Sequence, residues 1–329
     1  AQYLDPDAVI FLGDLFDGGR TLEPESKEYA AHVSRFKSIF RLPDSFSQTQ
    51  QQSANPEYLF LTGNHDIGLG LWYHPASSKA FVRNYSPTNG LNFVVPLGAV
   101  DFVGINAQAL SRLTQKISLL EYGFESRTQQ LTEDDEHQEG DRDGPFLRIR
   151  YKEPDSTAFS YDELQVRADG ADAYGFLENL LLNQHKAHAA GLQHRPRVLL
   201  THIPLAREYS KEHRCGPLRR TGKRDIAYAT GISYQNTFSE TVSEFVLSAS
   251  RPSLVVSGDD HSPCRVTHEY TDVLLEKETD GRAMERLVVE ETLPTFSWLM
   301  GERNPGFALM TKPGAYRFVH RIRFLCLFA

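Results

Sequence analysis

Cysteine is scarce in this chain of 329 residues, which has only Cys215, Cys264 and Cys326. So few cysteines exclude a disulfide-rich scaffold, and no CxxC pair occurs. No apolar run reaches the roughly 18 to 20 residues that a membrane-spanning helix needs. A basic excess is missing too, since the net charge is -8. That balance argues against a protein that holds long nucleic acid, but it leaves open a small site that binds phosphate through metal ions.

Neither end of the sequence has the features of a complete protein. No initiator Met precedes AQYLDPDAVIFLGD, this opening has no basic region or apolar leader, and the other end stops at RFVHRIRFLCLFA. We therefore expect a piece of a longer protein, in which missing targeting and membrane segments carry no information. Within it we expect one domain over residues 1–329, with a polar, acidic insertion around residues 128–156.

Four short apolar runs each end in a small residue followed by Asp, Asn or His. They are Ala8–Leu12, Tyr58–Thr62, Val198–Thr201 and Ser253–Val256. A run that is apolar at every position predicts a strand covered on both faces. Because ligand sites in α/β folds lie at the carboxyl ends of strands, we expect the four following loops to converge.

Between and after these strands lie further predicted elements. Helical periodicity predicts three helices, and other patterns predict a hairpin and two late strands. The helices are Ser26–Phe40, Asp172–His188 and Thr237–Ala249; the hairpin is Asn92–Asn106; the late strands are Arg282–Glu291 and Gly306–Thr311.

The first two loops, GDLFDGGR and GNHD, carry oxygen and imidazole groups suited to metal chemistry. Asp14 can offer both carboxylate oxygens and bridge two cations, while Asp17 is expected to orient its loop. Asn64 offers a neutral oxygen ligand. His65 could give a proton to a leaving oxygen, with Asp66 holding its ring. The alternative is an ordinary turn at each strand end, since Asp, Asn and Gly favour turns.

The last two loops complete the set. His202 follows its strand alone, so that a structural histidine is equally plausible, whereas Asp259 and His261 of GDDH stand two apart and project to the same side of an extended segment. Mixed oxygen and imidazole ligands suit Mn, Fe or Zn. Two such ions about 3.5 to 4 Å apart would clamp a phosphoryl group and lower the pKa of a bridging water.

The motifs GDLFD, GNHD, TH and GDDH, in this order, resemble those of the calcineurin-like metallophosphoesterases. This resemblance implies an α/β fold of two stacked mixed β-sheets flanked by helices, a four-layer sandwich. It also implies a metal-bridging Asp14, Asn64 and His202 as ligands of the second metal, and His261 as a ligand of the first. His65 takes the proton-donor position.

Two features depart from that family pattern. Its opening DxH motif is absent and should lie upstream of residue 1, so that this piece by itself could bind one ion poorly and be inactive. Asp259 stands where the family more often has His; it still supplies a ligand, and its charge favours Mn. Arg20 is expected to support the site. Other side chains that could line the pocket, or equally pack elsewhere, are His74, Arg207 and Trp298.

A narrower resemblance rests on LLTHIPLAR, SGDDHSPC and the LPTFSW…NPGF block. These are similar to eukaryotic phosphodiesterases that remodel glycosylphosphatidylinositol (GPI) anchors by removing ethanolamine phosphate from the glycan. The resemblance implies a Mn-dependent hydrolase in the endoplasmic reticulum or Golgi membrane, with a lumenal catalytic domain, a part in transport between the two, GPI-anchored proteins as partners and no nucleic acid. In an oxidising lumen, Cys215 and Cys264 could pair and brace the rim of the site.

Two alternatives to this function remain open. The substrate could be a nucleotide, nucleic acid or phosphoprotein. The protein could also be a catalytically impaired relative that binds GPI-anchored cargo as an adaptor.

Overall fold

The computed structural model describes residues 6–44, 46, 56–69, 73–86, 89–111, 173–192, 195–207, 215, 219, 226, 235–272, 284–297, 306–311 and 323–327. The predicted insertion at 128–156 and Trp298 lie outside these residues.

The described helices and strands are interspersed along the chain up to residue 257, and the described elements after it are all strands. The strands are β1 (Ala8–Phe11), β2 (Glu57–Phe60), β3 (Phe93–Leu97), β4 (Val100–Gly104), β5 (Arg197–Thr201), β6 (Leu254–Ser257), β7 (Cys264–Asp272), β8 (Met284–Thr292), β9 (Ala308–Thr311) and β10 (Arg323–Leu327). The helices are α1 (Lys27–Phe40), α2 (Asn64–Ile67), α3 (Pro75–Tyr85), α4 (Ala173–Ala189) and α5 (Glu240–Ser250).

The strands form two mixed sheets. The first has the order β2-β1-β10-β9, with β1 parallel to both of its neighbours and β9 antiparallel to β10. The second has the order β3-β4-β5-β6-β8-β7, in which β4, β5, β6 and β8 are parallel and the two edge strands are antiparallel. The predicted hairpin at 92–106 is confirmed as the antiparallel pair β3 and β4.

Alternation along β1 shows how the two sheets stack. Ala8 and Ile10 point into a core shared with Val198 and Leu200 of β5, so this core lies between the sheets. Val9 and Phe11 point the other way, into a core with residues of α1 and α3.

The outer face of the second sheet packs on α4 and α5. Leu199 and Val255 of the sheet share a core there with Leu177 and Val246 of those helices. The layers therefore run helices, sheet, sheet, helices, and the predicted four-layer α/β sandwich is confirmed.

The helix boundaries follow from their N-caps. Ser26 Oγ accepts a hydrogen bond from the Tyr29 amide (3.1 Å), and Ser239 Oγ accepts one from the Val242 amide (3.4 Å). Each serine therefore precedes its helix. The three predicted helices are confirmed with shifts of up to three residues at their ends, whereas α2, α3, β7 and β10 were not predicted. Among the described residues, no helix is both long and apolar enough to cross a bilayer.

Candidate metal centre

The four predicted loops meet around the side chain of His202. Its Nε2 lies 3.2 Å from Asn64 Oδ1, 3.5 Å from Asp14 Oδ1 and 3.4 Å from Asp259 Oδ1. One ligand atom from each of Asp14, His202 and Asp259 lies within 4.8 Å of the others. Strand ends from both sheets thus bring four of the five predicted metal ligands together.

His261, the fifth predicted ligand, lines the same small cavity as Asp14, His202 and Asp259. It is not among the three side chains whose ligand atoms cluster within 4.8 Å. Its carbonyl oxygen accepts a hydrogen bond from the Thr295 amide (3.0 Å), which ties this loop to the segment after β8. His261 therefore borders the cavity from the loop between β6 and β7.

Two glycines allow the loops to approach this closely. A Cβ at Gly13, whose φ is +106°, would lie 2.6 Å from His202 Nδ1. A Cβ at Gly63 would lie 1.9 Å from Asp14 Oδ1. Any larger residue at either position would push the ligand loops apart, which explains the glycine that precedes the ligand in the GD and GN motifs.

Three residues of the site have a left-handed backbone: Asp14 (φ 52°), Asp259 (φ 61°) and His261 (φ 63°). This conformation costs an L-residue about 1–2 kcal/mol, so surrounding contacts must hold it. At Asp14 one such contact is the hydrogen bond that Oδ1 accepts from the His65 amide (2.9 Å). The strain is concentrated at the ligands themselves.

The His202 ring is held in a defined tautomer. Its Nδ1–H donates to the Leu12 carbonyl oxygen (2.7 Å), so Nε2 is the ring nitrogen that faces the carboxylates. Burial by itself lowers the pKa of His202, but Asp14 and Asp259 outweigh it and raise that pKa to about 10. Two carboxylates therefore lie close to His202 Nε2, and their negative charges favour a cation at this position.

The donor set fits a divalent cation. Asn64 Oδ1 faces the two carboxylate oxygens of Asp14 (3.2 and 3.3 Å), which are acceptors like itself, as well as His202 Nε2 (3.2 Å). The conflict is relieved if the amide turns so that Nδ2 donates to the Asp14 oxygens (3.2 and 3.3 Å), or if a cation lies among the acceptors. Carboxylate, amide oxygen and imidazole are ligands that Mn, Fe and Zn accept.

The carboxylates near His65 differ from the prediction. Asp66 is buried and accepts hydrogen bonds from the amides of Leu15 (2.9 Å) and Gly63 (2.7 Å), so it joins the first loop to the second. Burial, together with a neighbouring carboxylate charge, raises its pKa. The prediction that Asp66 holds the His65 ring is therefore wrong. The exposed Asp17, expected only to orient its loop, contacts His65 Nδ1 through Oδ1.

The other candidate pocket residues have structural contacts. The Arg20 amide donates to the His65 carbonyl oxygen (2.9 Å), so Arg20 supports the site through its backbone. His74 is the N-cap of α3, where its Nδ1 accepts from the Ser77 amide (3.4 Å). Arg207 is buried and forms an ion pair with Asp260 (2.8 Å).

A buried cluster behind the metal loop combines a predicted disulfide with ion pairs that were not predicted. Cys215 and Cys264 form a disulfide, which confirms the predicted pair. Beside it, Arg207 and Arg219 both donate to the buried carboxylate of Asp260. Asp260 is the third letter of GDDH, but no local pattern indicates which arginines would reach it.

Comparison with known proteins agrees with this geometry. The model of the family described as calcineurin-like phosphoesterase matches residues 1–263. Cell division control protein 1 of Saccharomyces cerevisiae is 26% identical over 268 residues, which cover 82% of this chain and 39% of that protein.

Vertebrate relatives match over more of the chain. Metallophosphoesterase 1 of Danio rerio is 25% identical over 309 residues (94% of this chain, 61% of that protein), and that of Xenopus laevis is 24% identical over 311 residues (93% and 59%). The chain thus spans about two fifths to three fifths of the length of these curated relatives. With its family motifs gathered at one centre, the chain belongs to the calcineurin-like phosphoesterase family, whose members are hydrolases that act on phosphoric esters.

Proposed function

We propose that the full-length protein is a metal-dependent phosphodiesterase that removes ethanolamine phosphate from the GPI glycan. The observation that carries the hydrolase part is the meeting of Asp14, Asn64, His202 and Asp259 from four distant loops. Two divalent cations, which we propose to be Mn, supply Lewis-acid activation of water and neutralise charge on the phosphoryl group when bound.

The side chains of the site have two proposed roles, metal binding and proton donation. Asp14, Asn64, His202 and Asp259 would hold the cations, with His261 at the cavity wall. His65 lies on the helix that follows β2, and Asp17 holds its Nδ1. The other ring nitrogen, Nε2, is then the atom that delivers a proton to the leaving alcohol oxygen.

The proposed substrate and compartment are supported by a sequence block and by the disulfide. The LPTFSW…NPGF block resembles that of the GPI-remodelling phosphodiesterases, and relatives at about a quarter identity carry the name Metallophosphoesterase 1. The Cys215–Cys264 disulfide favours an oxidising compartment, as expected for a lumenal domain of the endoplasmic reticulum or Golgi. GPI-anchored proteins would then be the partners, and membrane attachment would come from other parts of the full-length protein.

The test is hydrolysis by full-length protein in the presence of Mn. We expect release of phosphoethanolamine from a mannose glycan that bears it, and loss of release in the Asp14→Ala and His261→Ala variants. Asp101→Ala is the matched control, because Asp101 pairs with Arg195 (2.7 Å) at the opposite end of the parallel strands. Retained release in Asp14→Ala would refute the mechanism.

A substrate panel separates the alternatives. Nucleotides, single-stranded nucleic acid and phosphopeptides are offered beside the glycan under the same conditions. Faster turnover of any of these would move the substrate assignment but keep the hydrolase. Binding of GPI-anchored cargo without turnover of any ester would instead favour the adaptor.

A further inference from the structure

We propose that Asp260 is a positioning residue, which Arg207 and Arg219 clamp so that the adjoining Asp259 and His261 keep the geometry of metal ligands. This inference rests on the proposed function, because it concerns the same centre. Asp260 does not itself belong to the cluster of Asp14, His202 and Asp259. It acts through its two neighbours in the chain.

The loop that carries these ligands has little regular structure of its own. It lies between β6 and β7, and its backbone contacts include Gly258 N to His202 O (3.0 Å) and Asp260 N to Gly258 O (2.7 Å). On either side of Asp260, the residues have left-handed backbones, with φ of 61° and 63°. Side chains disfavour that conformation, so a contact at the middle residue is well placed to maintain it.

The Asp260 carboxylate provides such a contact. Its side chain is 1% exposed, and Oδ2 accepts from Arg207 Nη1 (2.8 Å) and from Arg219 Nη1 (2.7 Å). Oδ1 accepts from Arg219 Nη2 (3.0 Å), so that Arg219 binds both oxygens. Charged hydrogen bonds of this forked kind fix direction as well as distance.

Arg207 is anchored in turn to the second sheet. Its guanidinium donates to Thr292 Oγ1 and its Nε lies 3.8 Å from Glu290 Oε2. Glu290 is fully buried and also accepts from Ser257 Oγ (2.6 Å), the last residue of β6. The clamp therefore connects the metal loop to two neighbouring strands, β6 and β8.

Arg219 is anchored by the disulfide. Cys215, four residues before it, is bonded to Cys264 at the start of β7. The Cys215 carbonyl oxygen also accepts a hydrogen bond from the Arg265 amide (3.2 Å). Arg219 Nη1 also donates to Cys215 Sγ (3.5 Å), so Arg219 contacts a residue that is bonded to the strand following the metal loop.

The test removes the charge of Asp260 while keeping its shape. In full-length protein titrated with Mn by calorimetry, we expect Asp260→Asn to weaken Mn binding by about 10- to 100-fold, the range found for residues that orient metal ligands. Asn still fills the space but presents an amide NH₂ to guanidinium groups that can only donate. The ligands Asp259 and His261 themselves are unchanged.

A matched control is available on the other end of β7. Asp272 is equally buried and pairs with Arg251 (2.6 Å) and Arg286 (3.0 Å), but it lies away from the metal loop. Asp272→Asn should therefore destabilise the protein and leave Mn affinity within about twofold of the parent. A merely structural Asp260 would make the two variants behave alike.

The outcomes distinguish this inference from the proposed function. A parent protein that binds no Mn would overturn both. A parent that binds Mn, with equal affinity in Asp260→Asn, would overturn only the role of Asp260.

If Asp260→Asn does not fold, Arg207→Lys and Arg219→Lys replace it in the same titration. Lysine keeps the charge but lacks the forked geometry. Both variants are then expected to bind Mn more weakly than the parent, and parental affinity in both would contradict the clamp.

Discussion

Two buried aspartates of this protein each hold a pair of arginines, yet their backbones are supported in different ways. Asp272 ends the nine-residue strand β7 and is aligned with Met284 in the ladder to β8. Asp260 lies in a loop between two residues of left-handed backbone. The β-ladder holds the first aspartate whatever its side chain does. The second depends on its side chain, so the same chemical pair contributes stability in one place and site geometry in the other.

The largest effect should come from the disulfide on the Asp260 side. Replacing Cys215 and Cys264 by Ser releases a bridge across a sequence separation of 49 residues. Chain entropy for a loop of that size corresponds to about 4 kcal/mol of unfolding free energy. Urea unfolding without reductant measures this loss, and Mn titration of the folded double variant should show weaker binding because Arg219 is no longer tethered. Unchanged unfolding and Mn binding would show that the bridge supports neither.

A reciprocal pair of arginine variants separates the role of Asp260 from that of Asp272. Arg251→Gln removes hydrogen bonds of 3.1 and 2.6 Å to the Asp272 carboxylate, and we expect about 2–3 kcal/mol lower unfolding free energy with an unchanged kcat. Arg207→Gln should lower kcat/KM as well as stability. Thermal unfolding and steady-state kinetics on both variants decide the matter. A loss of kcat/KM in Arg251→Gln as large as that in Arg207→Gln would break the distinction.

A smaller effect is expected at the exposed edge of the site. The Asp17 side chain is 86% exposed where it contacts His65. Exposed ion pairs contribute at most about 1 kcal/mol, so Asp17→Asn should lower kcat no more than about fivefold. His65→Ala, which removes the proposed proton donor, should cost about 100-fold or more. Equal losses in the two variants would mean that solvent does not weaken the Asp17 contact.

The smallest expected effect is the pH dependence of stability that comes from Glu290, the buried carboxylate beside Arg207. Burial raises the pKa of Glu290, but Arg207 and His268 outweigh it, and the net pKa is lowered. A lowered folded pKa gives stability that is present above the unfolded value, about 4.3, and is lost as the pH falls through the folded value. Unfolding free energy measured from pH 5 to pH 3 should therefore fall more steeply in the parent than in Glu290→Gln. Parallel curves would contradict this.

The local parts of the fold were predictable from the sequence. Strands β1, β5 and β6 follow from continuous apolar runs, and α1 follows from its apolar spacing after Ser26. By contrast, β7 escaped prediction because some of its buried positions are polar, as at His268 and Asp272, so that its alternation of buried and exposed residues is not a hydrophobic one. The helix α3 begins at Pro75 after a histidine N-cap, an uncommon start signal.

Asp14, Asn64, His202 and the GDDH loop each follow a buried strand directly. Their positions at strand ends can therefore be predicted from the local sequence. Tertiary packing alone brings Asp17, rather than Asp66, into contact with His65. It also brings Arg207 and Arg219 together at Asp260. These pairs are 48, 53 and 41 residues apart in the chain. Strand-end positions are set by local hydrophobic pattern, whereas such distant contacts depend on how loops from both sheets pack, and no local pattern encodes that packing.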